Sequence, residues 1–305
     1  MRVSVDRQAD STRRARTGLI DTTVANPARA ADYLDGGRDN FEADRVAARM
    51  MMAVAPVVRV IVPAARAFHR RVVSYLVAEA GVRQFLDVGA GLATSGRTHE
   101  VAQSLDPRCR VVYVDDDPMV LAHTRALARS SPEGAVGYVD AHIGDPSAIV
   151  AGVGATLDFG EPVAVMLLST STLAFIADND AAAAAVSALA AAVPSGSYVS
   201  LYHQASDLDP ALPVGIRRWN QLSAQPITLR SRAEVARLVA GLDLVPPGLV
   251  PITKWRPEQD DPRYDQIIPV HGVLARKPWN GPIGPASRSG SSWEPQQTSA
   301  LEETF

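Results

Sequence analysis

The chain has 305 residues, 47% of them hydrophobic and 21% charged, with a formal net charge of -3. That length and apolar content can bury a full core, as one large domain or one with a small appendage, and the near-balanced charge lacks the footprint of a nucleic-acid binder. Six histidines and a single cysteine, Cys109, exclude a thiolate zinc cluster and an intrachain disulfide.

The N-terminus is polar and carries arginines at 13, 14 and 16, without the apolar core of a signal peptide. Residues 1–21 are expected to be flexible. No apolar stretch spans a bilayer convincingly, so the reading is a cytoplasmic protein. Asn26 followed by Pro27 predicts a capped helix start, and Gly36-Gly37 ends that helix. Further helices are expected near 42–52 and 64–80, the latter with Phe68, Val72, Tyr75 and Leu76 at helical spacing. Residues 22–80 thus form an expected N-terminal helical cap.

An α/β core is expected over 81–278. Apolar runs predict strands at 84–88, 110–114, 135–139, 162–168 and 197–202, with helices at 95–105, 118–129 and 179–192. Continuous apolar strands suit a mostly parallel sheet covered on both faces. Cys109, just before the second strand, reads as a small buried filler. A short helix near 214–224 follows. Ser231 and Glu234 then form a capping box for a helix through 239, and strands near 242–245 and 268–275 close the sheet. Beyond Pro278 the composition turns to Gly, Pro, Ser and Gln, and 279–305 reads as a flexible tail.

The run Gln84-Phe-Leu-Asp-Val-Gly-Ala-Gly91 is the most informative stretch. A strand ends in an acid and opens into a glycine turn, and the next strand ends in a second acid, Asp115. That is the layout of a nucleoside-binding crevice. The turn Gly89-Ala90-Gly91 lacks the third glycine of a dinucleotide fingerprint, which favours a ligand without pyrophosphate. S-adenosyl-L-methionine fits this pattern. Asp87 can face its ammonium or hold the turn, Asp115 can accept its ribose hydroxyls, and Asp140, at the third strand end, can meet the adenine amine. Asp116, Ala141 and Ser169 lie at the same strand ends and complete the expected cofactor set.

Methyl transfer from a sulfonium needs alignment of the acceptor and exclusion of water; a base matters only when the acceptor loses a proton. His203, read as lying just past the fifth strand on the ligand-facing rim, and His99 are the candidate catalytic residues. His142 follows the adenine-side strand and is badly placed for that task. Phe175, Tyr202 and Trp219 are the groups expected around the acceptor, where an aromatic wall suits a flat substrate.

Several segments occur together: Asn26 to Phe41 with its Tyr33-Leu-Asp-Gly-Gly-Arg-Asp-Asn-Phe41 core, Phe85 to Leu92, His99-Glu-Val-Ala102, Val111 to Pro118, and Gly248-Leu-Val-Pro251 with Trp255-Arg-Pro257. In combination they resemble the actinobacterial S-adenosylmethionine-dependent methyltransferase family, over about residues 22–278. The resemblance implies a class I methyltransferase: a Rossmann-like, mostly parallel seven-stranded sheet with an antiparallel last strand, plus an N-terminal helical layer. It also implies that Tyr33, Gly37 and Asn40 fold over the cofactor's methionine end. The chain departs from the family's pattern at Ala174, where relatives carry histidine, and at Ala93-Thr94, where they carry Pro-Thr. The implied acceptor is a small molecule, an aromatic or indole-containing product of secondary metabolism. The expected partners are that acceptor and at most a second copy in a homodimer, with neither nucleic acid nor membrane, and no metal. The alternative function is a catalytically inactive, cofactor-binding regulator.

Overall fold

Three helices precede the sheet: α1 (Pro27–Leu34), α2 (Glu42–Val54) and α3 (Val58–Ala78). A computed structural model describes residues 20–92, 96–169, 172–258, 263 and 265–279. Nearly all of the two ends expected to be flexible, and the Ala93-Thr94 departure, lie outside the described residues. Asn26 caps α1, its side chain accepting from the backbone N–H groups of Ala28 and Arg29, with Pro27 at the first helical position. Helix α3 starts earlier than the sequence predicts and runs through Pro63. Proline interrupts only one hydrogen bond of the ladder, and the buried face of Ile61, Ala65, Phe68, Val72 and Leu76 continues across it.

The core follows as β1 (Gln84–Val88), α4 (Thr98–Leu105), β2 (Arg110–Asp115), α5 (Pro118–Leu127), β3 (Ala135–Asp140), α6 (Pro146–Val153), β4 (Val163–Leu167), α7 (Asn179–Ala192), β5 (Tyr198–Gln204), α8 (Ala211–Leu222), α9 (Arg232–Leu238), β6 (Asp243–Leu244), β7 (Val250–Pro251) and β8 (Val270–Arg276). The sheet order is β3-β2-β1-β4-β5-β8-β6, with β7 pairing β8 as an eighth strand. The first five strands in that order run parallel, and β8 is antiparallel to β5. The expected fold class is therefore present, with one short strand more. Helix α6 was not expected; Asp145 caps it and Pro146 opens it.

Each face of the sheet carries its own core. Phe85, Tyr113, Met166 and Tyr202 pack with α1, α2 and α3. Leu86, Val114, Val165 and Leu201 pack with residues of α6, α7 and α9 on the other face. The alternation of neighbours along each strand assigns these faces. Cys109 is fully buried beside the first core, and burial pushes its thiol up to about 11. No single helix among the described residues is long and apolar enough to cross a membrane.

The helical layer is tied down by a buried ion pair. Asp44 accepts from Arg29 Nε at 2.8 Å and from the backbone N–H groups of Asn26 and Phe41, each at 2.8 Å. Asn26 Nδ2 in turn donates to Asp117 Oδ2 at 2.9 Å, joining the layer to the end of β2.

Candidate functional site

The chain leaves β1 toward β2 and β3 on one side and reaches β4 and β5 on the other, so the sheet switches direction beside β1. Ligands of open α/β sheets bind at such a point, beyond the carboxyl ends of the strands. A crevice lies there as two chambers of about 110 and 60 Å³. The larger is lined by Asp87, Gly89, Ala90, Gly91, Ser169 and Tyr202 from the sheet, and by Asp32, Arg66 and His69 from the helical layer. The smaller is lined by Asp115, Asp116, Ala141, His142 and Phe175. Ala28, Gly89, Gly91 and Ser169 line both, so the crevice is continuous.

Gly89 sits at φ +82° and Gly91 at φ +63°, the left-handed region glycine adopts most readily. A side chain at Gly89 would also collide with the Thr172 hydroxyl, so the turn lets backbone approach a ligand. Asp115 Oδ2 accepts from the Gly91 N–H at 3.3 Å, and Asp115 Oδ1 from the Asp117 N–H at 2.9 Å. Burial raises the Asp115 carboxyl to about 7, against the pull of those two N–H groups. Asp116 is raised by burial as well.

At the other end of the crevice, Thr98 Oγ1 donates to Asp87 Oδ2 at 2.5 Å, and His69 Nε2 lies 2.7 Å from the same hydroxyl. One hydroxyl proton serves one bond, so with Asp87 ionised the histidine donates through Nε2 and keeps its Nδ1 lone pair. Burial, reinforced by Arg66 and Arg70, lowers His69 to about 4. Burial raises Asp87 to about 6, opposed by the Thr98 bond. Neither His69 nor Thr98 was singled out from the sequence.

The glycine signature closes on Asp32. This buried carboxylate accepts from the Asp39 N–H and from Asn40 Nδ2, each at 2.8 Å, and a Cβ at Gly37 would strike it. Asp32 lines the crevice, whereas Tyr33, Gly37 and Asn40 line neither chamber. The Tyr33 side chain hydrogen-bonds Arg49 on α2 instead. Gly37 and Asn40 thus contact Asp32 within the turn.

The position read for His203 needs correction. His203 is not past the strand on the rim; it is buried inside β5 and lines no chamber. Its Nδ1 bonds the Gln204 carbonyl at 3.0 Å and its Nε2 faces Arg230 Nη1 at 2.7 Å, so its lone pair is already used. Burial is the first cause that lowers it to about 4. His99 is also buried and outside the chambers; its Nδ1 lies 2.7 Å from the Tyr113 hydroxyl. Asp140 pairs in register with Asp115, on the same rim as expected, but its exposed side chain lines neither chamber; Ala141, His142 and Ile143 do. Among the aromatic groups, Tyr202 and Phe175 reach the crevice, and Trp219 lines a third, apolar chamber next to it.

The donor set suits S-adenosylmethionine. A half-buried carboxylate, Asp115, faces one chamber, as a ribose requires, while the other presents both signs of charge, Asp32 and Asp87 with Arg66, to a zwitterionic amino-acid end. In sequence, Thr94 stands where a pyrophosphate loop needs its third glycine.

The S-adenosyl methyltransferase family profile matches residues 13–278. A DUF574-family protein from Streptomyces avermitilis is 39% identical with a TM-score of 0.81, over 85% of this chain and 100% of that one. A protein described as a methyltransferase from Thermobifida fusca is 35% identical with a TM-score of 0.77, over 85% of this chain and 97% of that one. No curated protein matches the chain. Profile, fold and crevice agree: the chain belongs to the S-adenosyl methyltransferase family and is an S-adenosylmethionine-dependent methyltransferase.

Proposed function

We propose that the chain methylates a small-molecule acceptor, an aromatic or indole-containing secondary metabolite. The observation that carries this reading is the roof over the larger chamber. Ala28, Ala31 and Asp32 of α1 and Val62, Ala65, Arg66 and His69 of α3 close about 110 Å³ over the strand ends. A space overlain this way on one side holds a small molecule against the strand ends, which alignment of the reacting atoms requires.

S-adenosylmethionine supplies a methyl carbon already activated by its sulfonium. Asp115 is assigned the ribose hydroxyls, residues 141–143 the adenine, and the end near Asp87, Thr98 and Arg66 the amino-acid group. Tyr202 lines the larger chamber and Phe175 the smaller, with Ser169 common to both. Where the acceptor loses a proton, His69 is the residue assigned to take it: its Nδ1 has no hydrogen-bond partner among the described residues, and Thr98 with Asp87 orients its ring.

The test is a transfer assay with methyl-labelled cofactor across a panel of aromatic metabolites. Label in a ring-bearing product supports the reading. Transfer confined to protein or nucleic acid would contradict it.

A further inference from the structure

The third chamber, about 40 Å³, lies beneath α1 and adjoins the crevice at Ala31 and Val62, which line both. Its walls are almost wholly apolar, with Trp219 and Ile216 of α8, Ile61 of α3 and Leu34 of α1 among them. Its volume is a few times the roughly 10–15 Å³ that one water needs and about a quarter of the roughly 150 Å³ that takes a whole benzene ring, so it admits one edge of an acceptor. One polar side chain faces it: Gln204, the last residue of β5.

Gln204 is 8% exposed, and its carboxamide oxygen is buried without a hydrogen-bond partner among the described residues. Its backbone carbonyl accepts from the Arg230 N–H at 3.2 Å. Strand alternation puts its side chain on the same face as Tyr202 and opposite His203. An unpaired buried amide is destabilising, and such groups in native proteins call for an explanation. Here a ligand provides one.

We infer that the chamber receives the buried edge of the methyl acceptor while its ring lies toward the crevice, and that Gln204 selects a flat, mostly apolar molecule carrying a hydroxyl or N–H on that edge. This rests on the small-molecule reading above and adds the recognition element. The Trp219 indole supplies an aromatic wall; its Nε1 donates to the Gln225 carbonyl at 3.3 Å and does not compete for the ligand. The amide oxygen supplies the single directional contact. A site built to bond a hydroxyl or N–H discriminates strongly against the analogue lacking it.

Phenol and toluene test this directly, because they share a ring and differ in one polar group. Each is titrated into full-length protein bound to S-adenosylhomocysteine, with isotope-labelled isoleucine methyls reporting position: Ile61, Ile216 and Ile227 line the chamber, and Ile143 lines the crevice. The wild type should bind phenol about tenfold more tightly than toluene, shifting the first three methyls. In Gln204→Leu that preference should reverse, with S-adenosylhomocysteine affinity unchanged and the ligand-free melting temperature raised. An unchanged phenol-to-toluene ratio in Gln204→Leu, or no shift at the three methyls with either probe, would overturn the inference. Failure of S-adenosylhomocysteine to bind would strike the cofactor reading instead; the two titrations on ligand-free protein would then decide the chamber alone.

Discussion

The Asp115 carboxylate holds the N–H of Gly91 at 3.3 Å, so the acid ending β2 fixes the glycine turn that follows β1. The same group is assigned the ribose. Asp115→Ala should weaken S-adenosylhomocysteine binding by about 1–3 kcal/mol through loss of charge-assisted bonds, read by calorimetry. Stability should move the other way in Asp115→Asn. The folded carboxyl titrates near 7 and the unfolded one near 3.8. Between those values the folded form keeps a proton that the unfolded form releases, so stability falls as pH rises. Ligand-free Asp115→Asn should therefore gain melting temperature over wild type at pH 8, and the gain should shrink toward pH 4. A constant difference would show that the buried charge is not its source.

His69 and His203 carry similar depressions and should separate by role. Both are lowered to about 4 from an ordinary 6.5, so each favours the folded state above 6.5 and loses that contribution as pH falls through 4. The groups around His69 are Arg66 and Arg70 on its own helix, Thr98 and Arg97 near the start of α4, Asp87 on β1 and Tyr202 on β5. Nitrogen resonances of the His69 imidazole should show a neutral ring down to about pH 4, protonated at Nε2. A midpoint near 6.5 would remove the burial argument. His69→Gln should lower turnover of an acceptor that loses a proton and leave cofactor affinity nearly unchanged, whereas His203→Gln should lower the melting temperature more than turnover.

Arg230 braces the segment after β4. It is fully buried and donates to the carbonyls of Leu173 at 3.0 Å and Ile176 at 2.5 Å, to Asn179 Oδ1 at 2.8 Å, and meets His203. Arg230→Met keeps most of the volume and strands those acceptors. Denaturant unfolding should register a loss of about 3 kcal/mol. A loss below about 0.5 kcal/mol would mean the acceptors find water.

The signature turn offers a similar test. Gly37→Ala pushes a methyl into the Asp32 carboxylate and should destabilise the protein by about 2 kcal/mol, with a parallel loss of cofactor affinity if Asp32 faces the amino-acid end. Destabilisation with unchanged affinity would confine Asp32 to a structural role.

The strands and their acids were legible because each mostly apolar run is short and bounded by turn residues, with the acid at the strand end or one residue before it. Asp87 and Asp115 could be placed from that pattern alone. His203 was misplaced because β5 was ended two residues early, at Tyr202 rather than Gln204. Strand parity carried the missing information: Tyr202 and Gln204 share one face and His203 the other. Asp32 was hidden by the glycines around it, although Ala28, Ala31 and Asp32 already lie at the spacing of one helical face. His69 shares such a face with Val62, Ala65 and Arg66, but helical spacing does not say what that face meets. Only the fold brings Thr98 and Asp87 to it. The Gln204 chamber had no local signal at all, since its walls come from α1, α2, α3, β5 and α8.

The structure of the complex with S-adenosylhomocysteine, determined by crystallography, tests the central claim most directly. Ribose hydroxyls should lie at hydrogen-bond distance from Asp115, about 2.6–3.2 Å, and the amino-acid end beside Asp87 and Thr98. The sulfur should face the Ala31–Val62 boundary. An adenosine bound elsewhere, or bound here with Asp115 turned away, would contradict it.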